Sequence, residues 1–216
     1  METSVVMSSA PLLPAICQQR TAQLLATGQR KILGLVAPPG AGKSTLAEAL
    51  LAHYPQQAQG VPMDGFHLAN SELVRLGRQQ RKGAPDTFDA AGFLNLLRRL
   101  RSQSFSETIY APEFRRGIEE GIAGAIAIGP GTSLLITEGN YLLLDEQPWT
   151  QVREVVDEIW YLDVPDALRL ERLLARHMRF GRSRAQALDW IARTDEPNAV
   201  RIAATRQHAD VCVPWV

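Results

Sequence analysis

The sequence predicts an α/β fold in which a five-stranded parallel sheet lies between two layers of helices. Apolar runs typical of buried parallel strands alternate along the chain with amphipathic helical patterns. The first apolar run, residues 32–37, leads into a glycine-rich loop that is followed by the helical pattern of residues 46–52. No internal repeat or low-complexity tract interrupts the alternation. We therefore expect one domain over residues 11–216. The strand order expected for its sheet is 2-3-1-4-5.

The glycine-rich loop, APPGAGKST at residues 37–45, has the composition of a phosphate-binding loop, which makes the expected architecture the three-layer P-loop NTPase fold. Gly40 and Gly42 let backbone N–H groups face a polyphosphate, and the following helix directs its N-terminus at the same anion. Lys43 adds a positive charge, and the Ser44 hydroxyl is suited to Mg²⁺. The ATP-binding residues predicted in this loop are Gly40, Ala41, Gly42, Lys43, Ser44 and Thr45.

The loop departs from the pattern G-x-x-x-x-G-K-[ST] at one position, where Ala37 replaces the first glycine. Alanine requires a negative φ, and the two prolines that follow stiffen the chain. We therefore expect the entry to the loop to differ slightly from the usual geometry.

The composition limits the classes of molecule that the protein is expected to bind. Lysine plus arginine equals aspartate plus glutamate at 23 each, so no overall field favours nucleic acid or a membrane surface. Cys17 and Cys212 belong to no CxxC or Cys/His cluster, which argues against a disulfide framework or a zinc site. The start of the chain lacks the basic segment of a signal peptide, and no apolar run has the length of a membrane span. We expect a cytoplasmic protein with a mobile segment at residues 1–10. The sequence does not decide between a monomer and a homo-oligomer.

Two further strand patterns end in a carboxylate. Residues 59–63 lead to Asp64, and residues 133–138 end at Glu138. Because the carboxyl ends of parallel strands meet at the ligand edge of a sheet, both side chains should face the phosphate site. Glu138 is then the second candidate Mg²⁺ ligand beside Ser44. The remaining strand patterns are residues 159–164 and 211–213.

The helical patterns fill the intervals between the strands. Residues 12–27 should pack beside the first strand, and Asp89 is a candidate N-cap for a helix that ends at residue 100. An extended piece at residues 108–116 is expected to pair with residues 122–128. Residues 68–83 are expected to begin as a helix and to continue as a basic loop. Further helices are expected at residues 149–156, 166–180, 185–192 and 199–208.

The reaction class depends on the residues around the loop. The chain carries neither an Asn-Lys-x-Asp guanine reader nor the Leu-Ser-Gly-Gly-Gln of transporter ATPases, which leaves a kinase or another ATPase. A kinase that acts on an alcohol needs a base near the acceptor hydroxyl and a lid that excludes water. Asp64 and the arginine-bearing lid at residues 176–182 meet these needs. A P-loop ATPase or nucleotide-sensing regulatory protein without a small-molecule acceptor is the alternative.

Six sequence motifs together resemble those of the P-loop kinases of the phosphoribulokinase, uridine kinase and pantothenate kinase group. They are GAGKST at residues 40–45, MDGFH at 63–67, RKGAPDTFD at 81–89, YAPEF at 110–114, ITEGNYLL at 136–143 and RHMRFGR at 176–182. The resemblance runs from about residue 31 to the C-terminus. Within the group, the chain is most similar to bacterial uridine-kinase-like proteins, some of which are labelled fructokinase.

The resemblance implies an ATP- and Mg²⁺-dependent kinase that phosphorylates a hydroxyl of a small metabolite. A sugar or sugar-like polyol ranks first as acceptor, before a nucleoside and a pantothenate-like alcohol, because no aromatic residue is assignable to stack on a uracil ring. His177 stands where uridine kinases have aspartate. The implied catalytic residues are Asp64, Lys43, Arg176 and Arg182, with Arg179 and Asn198 at the ATP. The implied acceptor-binding residues are His67, Lys82, Asp86, Tyr110, Phe114 and Arg115.

Overall fold

The computed structural model describes residues 13–215, so the segment expected to be mobile, residues 1–10, lies outside the described residues. The helices are α1 (Ala15–Leu25), α2 (Lys43–His53), α3 (Asn70–Arg75), α4 (Ala90–Arg101), α5 (Val152–Val155), α6 (Asp166–Arg179), α7 (Arg184–Trp190) and α8 (Glu196–Ala203). The strands are β1 (Lys31–Val36), β2 (Ala58–Gly60), β3 (Ile109–Arg115), β4 (Glu120–Ile128), β5 (Leu134–Gly139), β6 (Glu158–Asp163) and β7 (Val211–Pro214).

The main sheet is parallel and has five strands in the order β2-β5-β1-β6-β7. Counted along the chain without the two strands of the second sheet, this order is 2-3-1-4-5, as the sequence predicts. β1 lies in the middle because its residues are apolar on both faces, and its last five residues are buried. The loop that follows β1 therefore emerges at the centre of the carboxyl edge of the sheet.

Helices cover both faces of the main sheet, which gives the predicted three layers. Side chains of β1 alternate between two apolar clusters, with Ile32 and Val36 in one and Leu33 and Leu35 in the other. The first cluster is completed by α4, α5 and α8, and the second by α1 and α2. Asp89 caps α4 as expected, since its side chain accepts the Gly92 N–H at 2.8 Å.

A second sheet consists of the antiparallel hairpin β3–β4. The register shifts between Ala111 and Glu113, at Pro112, which has no N–H to donate to the ladder. The hairpin packs against the short 3₁₀ helix Met63–Phe66, where a Cβ on Gly65 would lie 2.4 Å from the carbonyl oxygen of Pro112. Only glycine permits this approach, and it brings the hairpin turn to the carboxyl edge of the main sheet.

Two boundaries differ from the sequence prediction. The second strand ends at Gly60, before the expected residue 63, because Pro62 cannot donate to a ladder and the chain turns into the 3₁₀ helix. The helices expected at residues 185–192 and 199–208 are α7 and α8, and a π-helix, Ile191–Asp195, joins them. No helix within residues 13–215 has the length and apolar character needed to cross a membrane.

The two cysteines differ in accessibility. Cys17 is fully buried in α1, where burial raises the pKa of its thiol to about 11, whereas Cys212 is exposed on β7. We expect a thiol-specific reagent at about pH 8 to modify one thiol of the native protein and two after unfolding, because the thiolate is the reactive form. The variant Cys212→Ser should show no rapid reaction in the native state. Two fast thiols in the native protein would contradict this placement of Cys17.

Candidate active site

The lysine at the end of the phosphate-binding loop forms a hydrogen bond to the start of the loop. Gly40 and Gly42 adopt φ values of +83° and +88°, and a Cβ on Gly40 would lie 2.5 Å from the carbonyl oxygen of Arg169. Ala37 does not have a positive φ. Its carbonyl oxygen accepts a hydrogen bond from Lys43 Nζ at 3.0 Å. Alanine therefore fits the entry position without a left-handed backbone. The loop places the N-terminus of α2 and the Lys43 ammonium on one side of the cleft.

Ser44 and Glu138 meet at the carboxyl edge of the sheet. β5 pairs with β1 so that Glu138 lies opposite Leu35, and the Ser44 hydroxyl donates to Glu138 Oε1 at 2.9 Å. Burial and the neighbouring Asp64 carboxylate raise the pKa of Glu138, and the charge of Lys43 opposes that rise. Burial also lowers the pKa of Lys43 to about 8, against the attraction of the two carboxylates. A triphosphate bound here would favour the charged form of Lys43.

This pair of oxygen donors fits magnesium. Within residues 13–215 there is no group of three or more His, Cys, Asp or Glu side chains arranged to hold a metal. Mg²⁺ does not need such a group, since it binds through one or two protein oxygens, several waters and the phosphates of a nucleotide. Ser44 and Glu138 supply a hydroxyl and a carboxylate side by side.

Asp64 lies on the 3₁₀ helix Met63–Phe66, a short distance past the end of β2, and its side chain lines the same cleft as Lys43 and Glu138. The turn that carries it is fixed from two sides. The His67 ring donates through Nδ1 to the Asp64 carbonyl oxygen at 2.7 Å, and the Phe66 ring packs edge-on against Phe93 with centroids 5.4 Å apart. The Asp64 carboxylate is thus held at the boundary between the phosphate loop and the rest of the cleft.

Arg116 is a cleft residue that the sequence analysis missed. Its Nη2 lies 3.6 Å from Asp64 Oδ2, and its guanidinium lies 6.0 Å from the Phe114 ring centroid. The neighbouring Arg115, which was assigned to the acceptor, instead pairs with Glu113 at 3.4 Å and lies outside the cleft. Two adjacent arginines at a hairpin turn point in different directions, so the correct one depends on the turn geometry and not on composition.

Aromatic rings and polar groups form the wall of the cleft farther from the phosphate loop. His67 packs against Phe88 and Phe114 with ring centroids 4.0 Å and 4.6 Å apart. Lys82 Nζ lies 5.3 Å from the Phe114 centroid and donates to Asn70 Oδ1 at 2.7 Å. The structure therefore places three of the predicted acceptor residues, His67, Lys82 and Phe114, on one wall. We refer to this wall as the acceptor half of the cleft.

Two other predicted acceptor residues lie elsewhere. Asp86 forms ion pairs with Arg78, at 3.3 Å, and with Arg81, because its neighbours in the 3₁₀ helix Pro85–Thr87 take the buried positions. Tyr110 is 59 % exposed because it alternates along β3 with the buried Ile109 and Ala111. The assignment of Asp86 and Tyr110 to the acceptor site is not supported by their positions.

The predicted lid contributes two of its three arginines. Arg176 and Arg182 line the cleft, whereas Arg179 is exposed outside it on another face of α6. Arg182 Nη1 lies 2.5 Å from His177 Nδ1, and its guanidinium stacks 4.2 Å from the Trp190 ring centroid. Because arginine donates to Nδ1, the His177 proton lies on Nε2 and is donated to Asp195 Oδ2 at 2.7 Å.

The opposite side of the cleft comes from the C-terminal helices. The π-helix directs Thr194 and Asp195 into the cleft, and Asn198 follows at the start of α8. Asn198 donates to the Thr194 carbonyl oxygen at 2.9 Å. The cleft has a volume of about 410 Å³. It joins the phosphate loop, the two carboxylates, the acceptor half and the lid in one continuous space.

Comparisons with known proteins agree with this geometry. Residues 32–216 match the model of the Phosphoribulokinase / Uridine kinase family. C227.14 of Schizosaccharomyces pombe (strain 972 / ATCC 24843), described as a candidate uridine kinase, is 35% identical over 193 residues, which cover 85% of this chain and 81% of that protein. Protein YggC of Escherichia coli (strain K12) is 35% identical over 190 residues, with 86% and 78% covered.

A solved structure shares both the fold and much of the sequence. The crystal structure of a candidate fructose transport system kinase from Silicibacter sp. TM1040 superimposes with a TM-score of 0.80 at 37% identity, covering 90% of this chain and 98% of that one. The match of the family model spans all the strands and loops that build the cleft, from β1 onward. The chain therefore belongs to the phosphoribulokinase / uridine kinase family, and it is an ATP-dependent kinase of the P-loop type.

Proposed function

We propose that this kinase transfers the γ-phosphoryl group of ATP to a hydroxyl of a small neutral metabolite, with a sugar or sugar-like polyol as first candidate. The observation that carries the proposal is the position of Asp64. Its carboxylate lines the same cleft as Lys43, His67 and Phe114, and it is close enough for its charge to act on both Lys43 in the phosphate loop and His67 in the acceptor half. A base at this boundary can accept the proton of an alcohol that attacks the γ-phosphorus.

The hydrogen-bond partners of the cations in the cleft favour an uncharged acceptor. Each cation of the cleft outside the phosphate loop and Arg176 already has a protein partner. Lys82 donates to Asn70 and to a backbone carbonyl, Arg116 pairs with Asp64, and Arg182 is held by His177. An acceptor with its own carboxylate or phosphate would compete with these partners for the donors of the cations. Pantothenate-like alcohols, which carry a carboxylate, therefore rank below sugars and nucleosides.

The names of the relatives accord with this ranking. One relative is described as a candidate uridine kinase and another as a candidate fructose transport system kinase, and uridine and fructose are both neutral molecules with hydroxyl groups. Flat aromatic faces such as Phe114 pack well against the C–H face of a sugar ring. Asn70 and Gln79 add polar groups around the same wall.

Each side chain of the cleft has a defined part in this proposal. The loop backbone and Lys43 bind the phosphates, and Ser44 with Glu138 would hold Mg²⁺, which neutralises phosphate charge when bound. Arg176 faces the two carboxylates and the phosphate loop from α6, where it can compensate charge on the transferring group. Arg182 and Trp190 close the outer side of the cleft and limit the access of water.

The test of the proposed function is whether ADP release depends on an added alcohol. Purified protein with ATP and Mg²⁺ should release ADP slowly alone and much faster with a suitable neutral polyol, and the product should be a phosphate ester. A full rate of ATP hydrolysis without any alcohol, with inorganic phosphate as the only product, would favour the ATPase or nucleotide-sensing alternative.

Arg116 provides a second test, because Arg115 beside it is a matched control. Arg116 is the side chain that offsets the repulsion between Asp64 and Glu138 from the acceptor side. We expect Arg116→Ala to lower the kcat of phosphoryl transfer to the acceptor about tenfold. This factor corresponds to about 1.4 kcal/mol of transition-state stabilisation. Arg115→Ala removes an equal charge outside the cleft and should leave kcat within about twofold. Equal losses in the two variants would remove Arg116 from the site.

A further inference from the structure

Glu119 has an unusual backbone conformation for its residue type. It lies at the end of the hairpin turn, directly before β4, and its φ is +55°. Within residues 13–215 it is the one residue other than glycine with a positive φ. A left-handed backbone is uncommon for glutamate, and here it stands at the last position of the hairpin loop, immediately before the chain enters β4. Such positions are often found where a side chain is needed in a particular place.

The hairpin turn is held in place by the acceptor half of the cleft. Lys82 Nζ and Asn70 Nδ2 both donate to the Glu119 carbonyl oxygen, the second at 3.3 Å. The Asn70 N–H donates to Glu120 Oε1 at 3.0 Å. On the other side of the turn, a Cβ on Gly121 would lie 2.5 Å from the carbonyl oxygen of Gly65. The backbone around Glu119 is therefore fixed beside the acceptor half of the cleft.

The Glu119 carboxylate has no protein partner in the described part of the chain. Glu119 lines the cleft beside His67 and Lys82, and its negative charge raises the pKa of both groups against the effect of their burial. Its carboxylate nevertheless makes no hydrogen bond or ion pair within the described part of the chain, whereas the carboxylates of Asp64 and Glu120 both have protein partners. A carboxyl group with free acceptor positions thus lines the acceptor half.

We propose that Glu119 is the residue that selects the acceptor, by accepting hydrogen bonds from two hydroxyls on adjacent carbons of a neutral polyol. A carboxylate has two parallel acceptor oxygens, a geometry that matches a pair of neighbouring hydroxyls. Its charge disfavours acceptors with a carboxylate or phosphate, and Lys82 and Arg116 on the same wall disfavour cations. This inference rests on the proposed transfer to a neutral hydroxyl compound and names the part of the site that recognises it.

The experiment compares the wild type with Glu119→Gln, Glu119→Gly and the control Glu113→Gln. Glu113 lies on the same hairpin, is exposed and pairs with Arg115 outside the cleft. The probes are D-fructose, D-glucose, D-ribose, myo-inositol and glycerol, with ATP and Mg²⁺, together with deoxy analogues of the best substrate. The measured quantities are acceptor-dependent ADP release, the KM for ATP and the Tm of each protein.

Glu119→Gln should raise the KM for the best polyol roughly 10- to 100-fold, the value of hydrogen bonds to a charged group, with kcat and the KM for ATP nearly unchanged. For a deoxy analogue that lacks a contacted hydroxyl, wild type and variant should have similar KM values. Glu119→Gly should raise the KM at least as much without lowering Tm, because glycine adopts this φ without strain. Glu113→Gln should behave as the wild type.

Three results would overturn the inference. The first is an unchanged acceptor KM in Glu119→Gln, and the second is an equal change in Glu113→Gln. The third is a lowered Tm in Glu119→Gly that accompanies the loss, which would make the side chain structural. A wild type that phosphorylates none of the neutral polyols, while still releasing ADP, would instead contradict the proposed function itself, and the role of Glu119 would fall with it.

Discussion

Asp64→Asn is expected to lower acceptor-dependent turnover about 10²- to 10⁴-fold, the range of general-base assistance in enzymes. Asparagine keeps the shape of the side chain and can still orient a hydroxyl, but it cannot accept the proton. The 3₁₀ helix that carries Asp64 is fixed by the His67 hydrogen bond to its backbone and by the packing of Phe66, neither of which involves the carboxylate. We therefore expect the fold and the affinity for ATP to persist in this variant.

The matched control for Asp64→Asn is Asp86→Asn. Sequence resemblance places both aspartates in the active site, but Asp86 pairs with Arg78 and Arg81 outside the cleft. Its substitution should change turnover by no more than about twofold, as for a surface ion pair. Steady-state rates of phosphorylated product, together with ATP binding by calorimetry, separate the two. Near-native turnover of Asp64→Asn would exclude a role for Asp64 as base.

Lys43→Ala is expected to abolish phosphoryl transfer, because the ammonium is the positive charge that the phosphate loop brings to the β- and γ-phosphates. The same variant should not lose stability at neutral pH. Burial lowers the pKa of Lys43 to about 8, below its usual value, so the folded protein holds this proton less tightly than the unfolded chain does. Below that pKa the charged lysine therefore costs folding free energy, and the cost diminishes as the pH rises through it.

The measurements for Lys43→Ala are product formation and thermal unfolding at neutral pH. Its control is Lys31→Ala, which removes a lysine at the opposite end of β1, where Nζ pairs with Asp157 at 3.1 Å. That variant should retain activity and lose a modest amount of stability. A Tm of Lys43→Ala well below that of the wild type, with loss of helical circular dichroism, would assign Lys43 a structural role instead.

The parts of the fold that the sequence predicted are those governed by short stretches of chain. β1 is a run of apolar residues bounded by a lysine and a glycine-rich loop, and α4 has both an N-cap at Asp89 and an apolar stripe. Such patterns fix an element without reference to the rest of the chain. The strand order does not follow from any such local pattern, and its prediction came from the resemblance to the P-loop kinases.

The site was predicted where chemistry follows a strand and missed where it depends on contacts between distant segments. Glu138 ends β5, so its place at the carboxyl edge could be deduced. Which of Arg115 and Arg116 enters the cleft depends on how the hairpin turn packs on the segment that carries Asp64. The place of Glu119 in the cleft could not be deduced from the sequence, since it depends on the hairpin turn and on the hydrogen bonds that its carbonyl oxygen accepts from Lys82 and Asn70.

The lid shows how a sequence mismatch can be compensated in space. His177 departs from the aspartate of uridine kinases, but its ring accepts from Arg182 on one side and donates to Asp195 on the other. The negative charge on this wall therefore comes from Asp195 at the end of the π-helix, and not from α6. No local pattern connects residues 177 and 195, so this relation could be found only from the structure.

The central claim is that the γ-phosphoryl group reaches a hydroxyl of a neutral small molecule with Asp64 as base. The most direct measurement is to incubate wild type and Asp64→Asn with ATP, Mg²⁺ and a complex small-molecule extract, and to identify every compound that gains a phosphoryl group by mass spectrometry. We predict that the wild type produces the phosphate ester of a neutral polyol or nucleoside and that Asp64→Asn does not. An acceptor that carries its own anionic group, or equal product from both proteins, would contradict the claim.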